Sequence, residues 1–265
     1  MKEWDINIYR GILTGYNDAF IIDGSIRNKL ICQDAKSAEI IRPILRGRDV
    51  KRYNYQFADL YIIATFPSLH YDINEYPAVR DYLLSFGMER LEQTGAIHTI
   101  NGAIIKSRKK TRNKWFETQD SISYWDDFSK QKIVWGEISD KTKFALDGNG
   151  DFYCEATTFL MTGSHLKYLL CFLNSKFSEY YFSKIGTTTG VGTVRWKKFK
   201  IETLPVPVIS PELENAFERL LDNLLAALAN DASTTDEEHA IDVEIYNMLK
   251  LSDTEIEFIE NFRHI

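Results

Sequence analysis

The chain has 265 residues, 44% of them hydrophobic and 26% charged, which excludes a disordered or low-complexity protein. No run of about 18 apolar residues occurs, Met1 is not followed by an apolar signal core, and Cys32, Cys154 and Cys171 form no Cys-x-x-Cys pair. The expectation is therefore a soluble cytoplasmic protein with no membrane partner, no disulfide framework and no zinc site. The net charge of −6 conceals an asymmetry: residues 201–265 carry 15 acidic against three basic groups, whereas residues 1–200 have a net charge of +6. A basic body with an acidic tail is the charge distribution of a protein that meets a polyanion with one part only.

Short apolar, β-branched and aromatic runs at 19–22, 61–66, 103–105, 132–135 and 152–153 predict strands, and helices are expected at 35–44 and 76–94. In the second of these, Pro77 lies just inside the start, and Val79, Tyr82, Leu83 and Phe86 make one buried face. Residues 166–185 read as a core helix. A glycine and threonine loop follows at 186–192, and Pro205 and Pro207 then exclude a helix. Ser210 and Pro211 open an amphipathic helix with Leu213, Phe217, Leu220, Leu221, Leu224 and Leu228 at three- and four-residue steps. Thr235 with Glu238 and Ser252 with Glu255 read as capping boxes of two more helices. The fold class is mixed α/β (α+β): a β-rich body over residues 1–207 with one core helix, then a three-helix tail over 208–265 that packs on the body or on a further domain.

The densest chemistry is a nine-residue stretch holding Lys106, Arg108, Lys109, Lys110, Arg112 and Lys114 with no acidic residue, running into Trp115 and Phe116. Its repulsion is uncompensated locally, which favours an anionic partner. Arg108 and Arg112 are the candidates for forked contacts to guanine, and the lysines for phosphates. A second cluster, Arg46 and Arg48 with Arg42, Lys51 and Arg52, surrounds a turn partly neutralised by Asp49 and is as compatible with a structural turn as with a contact. Thr187, Thr188 and Thr189 of the loop precede Arg195, Lys197 and Lys198, a combination suited to a second DNA-contacting finger. The run Asp147-Gly-Asn-Gly-Asp151 begins like a calcium loop but has Phe152 and Thr158 where glycine and glutamate belong, and it reads as a β-hairpin turn. There is no Asn-Pro-Pro-aromatic tetrapeptide and no glycine-rich segment placed for a methyl donor, so no catalytic, cofactor-binding or metal-binding residue is expected.

The succession Tyr9-Arg-Gly-Ile-Leu-Thr-Gly-Tyr-Asn-Asp-Ala-Phe20, Ile44-Leu-Arg-Gly-Arg-Asp49, Trp115-Phe-Glu117, Lys132-Ile-Val134, Leu173-Asn-Ser-Lys176, Trp196-Lys-Lys-Phe199, Leu204-Pro-Val-Pro207 and Ile241-Asp-Val-Glu-Ile-Tyr246 resembles the TaqI-like C-terminal specificity domain. That domain is the target recognition part of type IIG restriction enzymes and related adenine-specific DNA methyltransferases. The Leu-Asn-Ser and Pro-Val-Pro pieces are also similar to specificity subunits of type I systems. The resemblance implies sequence-specific recognition of double-stranded DNA without catalysis by this chain. It also implies a methyltransferase domain or subunit as partner, with S-adenosylmethionine, with or without magnesium, confined to that remainder of the parent enzyme. An excised fragment and a free specificity subunit both fit. A single-stranded DNA or RNA-binding protein is the alternative, with an enzyme of unrecognised type behind it.

Overall fold

The computed structural model describes residues 1, 4–189 and 192–262. The first half runs β1 (Ile6–Arg10), α1 (Asn17–Phe20), β2 (Ile21–Asp23), α2 (Gly24–Gln33), β3 (Ile41–Leu45), β4 (Leu60–Ile63), α3 (Pro77–Leu84), α4 (Met88–Leu91), β5 (Ile97–Ile100) and β6 (Ala103–Lys106). After the basic stretch come β7 (Lys132–Gly136), β8 (Ile138–Ser139), β9 (Phe144–Asp147), β10 (Tyr153–Cys154) and β11 (Thr158–Gly163). The remainder is α5 (Leu166–Asn174), α6 (Lys176–Ile185), β12 (Thr187–Thr188), β13 (Val194–Arg195), α7 (Lys198–Ile201), α8 (Pro211–Ala229), α9 (Thr235–Leu249) and α10 (Asp253–Glu260).

An antiparallel sheet in the order β1-β11-β7-β9 lies at the centre, covered on both faces. Strand side chains alternate, so its inner strands feed two cores at once. Ile133, Trp135, Phe144 and Met161 face a core shared with α5, α8 and α9, while Val134, Ala145 and Leu160 face a second core. The second core is closed by Ile44, Leu45 and Ile62 of the other four-stranded sheet, ordered β10-β3-β4-β2. That sheet's opposite face, with Ile22, Ile41 and Ile63, packs on Leu30 of α2 and on Val79 and Leu83 of α3. Burial on both faces explains why strand residues here form continuous apolar runs.

Several expectations change in this context. The helix expected at 35–44 is a 3-10 turn, Ala35–Glu39, followed by β3. Pro43 cannot donate inside a helix, and the β-branched Ile41 and Ile44 are buried in the cores on the two faces of the sheet. The helical segment of this region is instead α2, capped by Asp23, whose carboxylate accepts from the Ile26 amide. Residues 19–22 divide between α1 and β2. The helix over 76–94 breaks at Gly87, whose φ of 88° reverses the chain between α3 and α4. The core helix over 166–185 breaks at Ser175, whose hydroxyl caps α6. The turn at 147–151 is not a hairpin, because β9 pairs with β7 and β10 pairs with β3 in the other sheet.

In the tail, Ser210 and Ser252 cap α8 and α10 as their sequences require, whereas α9 begins at Thr235 and its cap is Thr234, whose hydroxyl donates to Glu238. Phe217, Leu221 and Leu224 of α8 and Ile241 and Ile245 of α9 share one core with Leu169, Leu170 and Leu173 of α5. Polar ties reinforce this junction: the Arg52 guanidinium meets Glu238 at 2.5 Å and the Thr142 hydroxyl at 2.6 Å, and the Lys176 amide donates to the Asp242 carboxylate at 2.9 Å.

Burial pushes the Asp242 carboxyl up to about 6, against the opposing pull of the Lys176 amide and Arg52. A carboxyl with a raised folded pKa contributes stability that is fully present below its unfolded value, near 3.8, and is lost as pH rises through about 6. Relative to the wild type, Asp242→Asn is expected to gain stability above pH 6 and lose that advantage near pH 4, a change of at most about 3 kcal/mol. Thermal melts of both proteins across this pH range test it, and two parallel Tm profiles would refute it.

Candidate nucleic-acid interface

The basic stretch is a shaped loop. Gln93 Nε2 donates to the carbonyls of Lys114 and Glu117 at 3.1 and 3.0 Å, and Asn113 Nδ2 donates to those of Thr118 and Gln119. The strongest brace is Arg108, which is 4% exposed. Its Nε donates to Leu91 O at 2.8 Å, Nη1 to Thr14 O and Glu117 O at 2.8 and 2.7 Å, and Nη2 to Trp115 O at 2.5 Å, over the Phe20 ring. Desolvation lowers this guanidinium to about 10, partly offset by Glu117. Arg108 is therefore corrected from a base-reading candidate to an internal crosslink, because its donors are spent on the protein's own carbonyls.

Phe116 is likewise buried and Trp115 half-buried, so the aromatics after the cations face the core rather than a ligand. What the brace leaves outside is Lys106, Lys109, Lys110, Arg112 and Lys114, all exposed. None of the five forms an ion pair among the described residues.

The second cluster is a braced turn that leaves one cation outside. Asp49 accepts from the Arg46 amide at 2.9 Å and from its Nε and Nη2 at 2.9 and 2.8 Å, closing the turn. Burial works to raise the Asp49 carboxyl, yet these bonds hold it below the usual carboxylate range. Arg46 is thus occupied by Asp49, while Arg48 is exposed and unpaired among the described residues. The turn sits on β7 through two glycines: a Cβ on Gly47 would lie 3.0 Å from Thr157 O, and one on Gly136 would lie 3.1 Å from Gly47 O. This backbone approach floors a cleft of about 650 Å³, whose cations Arg46, Arg48, Lys51 and Lys143 face the carboxylates Glu137, Asp140 and Glu155.

The third cluster joins the same cleft. Strand β13 pairs with β12 on one side and with β8 on the other, which places Thr193 in the cleft wall and Arg195 Nη1 2.8 Å from Glu137. Thr187 and Thr188 are exposed in β12, and Thr189 bonds Thr193. Gly190 and Val191 of the same loop lie outside the described residues. Trp196 is a core residue stacked on Phe182 at 3.9 Å, and Lys198 Nζ is tied to Ile8 O at 2.9 Å. Lys197 is half-buried at the start of α7.

One short segment connects the cleft to the basic loop: Thr14 receives Arg108 through its carbonyl and bonds Asn17 at 2.6 Å, and Asn17 reaches Glu155 in the cleft. Hydrogen bonds through Thr14 and Asn17 therefore link the base of the basic loop to the cleft. Sequence reasoning missed Asn17, Glu137, Asp140, Lys143, Glu155, Thr157 and Thr193, which share no local motif and converge only by strand pairing. Unpaired cations can neutralise phosphates, and a cleft lined with both donors and acceptors has the chemistry needed to distinguish base edges.

Such an arrangement has the chemistry of a recognition surface. The chain belongs to the family of the TaqI-like C-terminal specificity domain, whose model matches residues 42–206 and so takes in the Arg46 turn, the basic loop and the β12–β13 loop. No curated protein matches it by sequence. Among solved structures it is similar to the type IIL restriction-modification enzyme MmeI, determined in complex with DNA, at 13% identity and a TM-score of 0.67 over 95% of this chain and 34% of that one. It is also similar to the type IIG restriction endonuclease BpuSI at 13% identity and a TM-score of 0.50, over 92% of this chain and 31% of that one. The chain thus spans about a third of the length of these enzymes, and at such identity the likeness establishes the fold. Among the described residues, no helix is long and apolar enough to cross a membrane.

Proposed function

We propose that this chain is a sequence-specific double-stranded DNA recognition module of a restriction-modification enzyme of the type IIG restriction endonuclease or adenine-N6 DNA methyltransferase kind. The observation that carries the reading is the joining of five unpaired loop cations to a cleft of mixed charge by the segment 13–17, within a specificity-domain family. Lys106, Lys109, Lys110, Arg112, Lys114 and Arg48 contact phosphates and set register, Arg112 being also free to fork onto guanine. The carboxylates and cations of the cleft read base edges: a glutamate or aspartate accepts from cytosine N4, and a cation donates to guanine. Methyl transfer, and cleavage where it occurs, belong to the rest of the parent enzyme, which supplies S-adenosylmethionine and any magnesium. A methyltransferase domain or subunit is the expected protein partner.

Selection of bound duplexes from a randomised pool is expected to enrich one short site, and neutralisation of about five to seven phosphates should give a log-log salt slope of roughly −4 to −6. Fluorescence anisotropy with a labelled duplex between low and physiological salt measures the slope. No enrichment, a flat salt response, or tighter binding of single strands than of duplex would overturn the proposal.

A further inference from the structure

Strands β5 and β6 form a two-stranded ribbon turned at Asn101 and Gly102, both at positive φ (52° and 81°), the conformation of a tight Asn-Gly hairpin. Ile97 lies opposite Lys106 and Thr99 opposite Ile104, so these four side chains share one face. That face is open: Ile97 is 69% and Ile104 76% exposed. The other face, with His98, Ile100 and Ile105, is half-buried. Isolated ribbons are marginal in water, and two of the most exposed large apolar side chains of the protein sit here without an intramolecular partner surface.

The occupant of this face is indicated by charge. Lys106 ends β6 and is also the first of the unpaired cations, so the apolar face continues directly into Lys109, Lys110 and Arg112. An apolar protein partner would have to bury that charge, whereas a duplex offers phosphates to the lysines and, in the major groove, thymine methyl groups to the isoleucines. The dimensions agree: two strands about 4.8 Å apart, with their side chains, fit a groove about 12 Å wide that admits a two-stranded ribbon.

We propose that the outward face of β5–β6 enters the major groove, with Ile97 and Ile104 in contact with thymine methyl groups and Lys106 on the neighbouring phosphate. Resting on the duplex-DNA reading above, this adds specificity-determining residues that carry no charge.

The test replaces each thymine of the selected duplex, one at a time, by deoxyuridine, which removes only the methyl group. Wild-type chain is expected to lose about three- to tenfold in affinity at one or two positions, the scale of one or two buried methyl groups. Ile97→Ser and Ile104→Ser are expected to bind the thymine and uracil duplexes alike at those positions, with salt slope and urea midpoint unchanged because both side chains are exposed. The proposal is overturned if the wild type is blind to every replacement, if the selected site contains no thymine, or if the serine variants keep the wild-type thymine preference. A chain that binds duplex tightly but ignores the methyl groups fails this inference alone, while one that does not bind duplex fails the function from which it starts.

Discussion

Arg108→Ala is expected to destabilise the protein by about 3–5 kcal/mol and to lower Tm by roughly 10 °C, although the residue stands in the middle of a cationic run. The guanidinium joins four carbonyls drawn from the end of α4, the Thr14 segment and the residues 115 and 117 that follow the loop. Truncation removes this donor from the carbonyls of Thr14, Leu91 and Trp115, Glu117 O keeping only Gln93, in a site that is 4% exposed, and an unsatisfied buried polar group costs about 1–3 kcal/mol even where water partly enters. Arg108→Lys recovers only part of the loss, since an ammonium cannot span the planar fork. Lys109→Ala and Lys110→Ala are expected to leave stability within about 0.5 kcal/mol and to reduce the salt slope of DNA binding by about one each. Urea denaturation and anisotropy on the same four variants separate the two roles. An Arg108→Ala protein with unchanged midpoint and relaxed base preference would restore Arg108 as a base reader.

Asp147→Ala is expected to have an effect of the same order, about 3–5 kcal/mol, from a different cause. Lys132 and Asp147 face each other across β7 and β9, both side chains fully buried, at 2.5 Å. Asp147 also accepts from the amides of Gly150, Asp151 and Phe152 at 3.1, 3.0 and 2.9 Å, and Lys132 Nζ donates to Phe128 O at 2.6 Å. The loop that begins like a calcium site thus has an ammonium as its cation, supplied by the strand beside it. Removing the carboxylate strands that ammonium and three amides in the interior, where an uncompensated charge is costly. Asp147→Asn keeps some amide contacts but not the charge, so it should fall between wild type and Asp147→Ala. Equal stability of Asp147→Ala and wild type in calorimetric melts would refute this account.

The features that the sequence by itself determined are those set by local chemistry. Pro211 after Ser210, and Ser252 with Glu255, satisfy helix-end amides within one turn, and the spacing from Leu213 to Leu228 needs only a partner face, so α8 and α10 were legible. The apolar run 133–135 of β7 and the family-like succession of short motifs were legible for the same reason, as was the concentration of positive charge in the body. Local signals failed where two cores overrode period: residues 41–45 show no alternation because Ile41 enters one core and Ile44 and Leu45 the other, and Pro43 then admits a strand where a helix was expected.

The site was legible in composition and not in role. Six cations between 106 and 114 look alike in one dimension, yet only the packing of α4, Thr14 and Phe20 around position 108 turns that arginine inward and leaves its neighbours to solvent. Likewise Trp115, Phe116 and Trp196, which stand beside cations in the sequence, were claimed by the core because each ring found an apolar wall there. The cleft draws Asn17, Arg48, Glu137, Glu155 and Thr193 from segments up to 176 positions apart. Their meeting depends on the pairing of β8 with β13 and on the close approach of Gly47, in the turn after β3, to Gly136 of β7. Strand pairing is a long-range choice made by the whole chain, which is why tertiary structure alone decided which charges brace the fold and which face solvent.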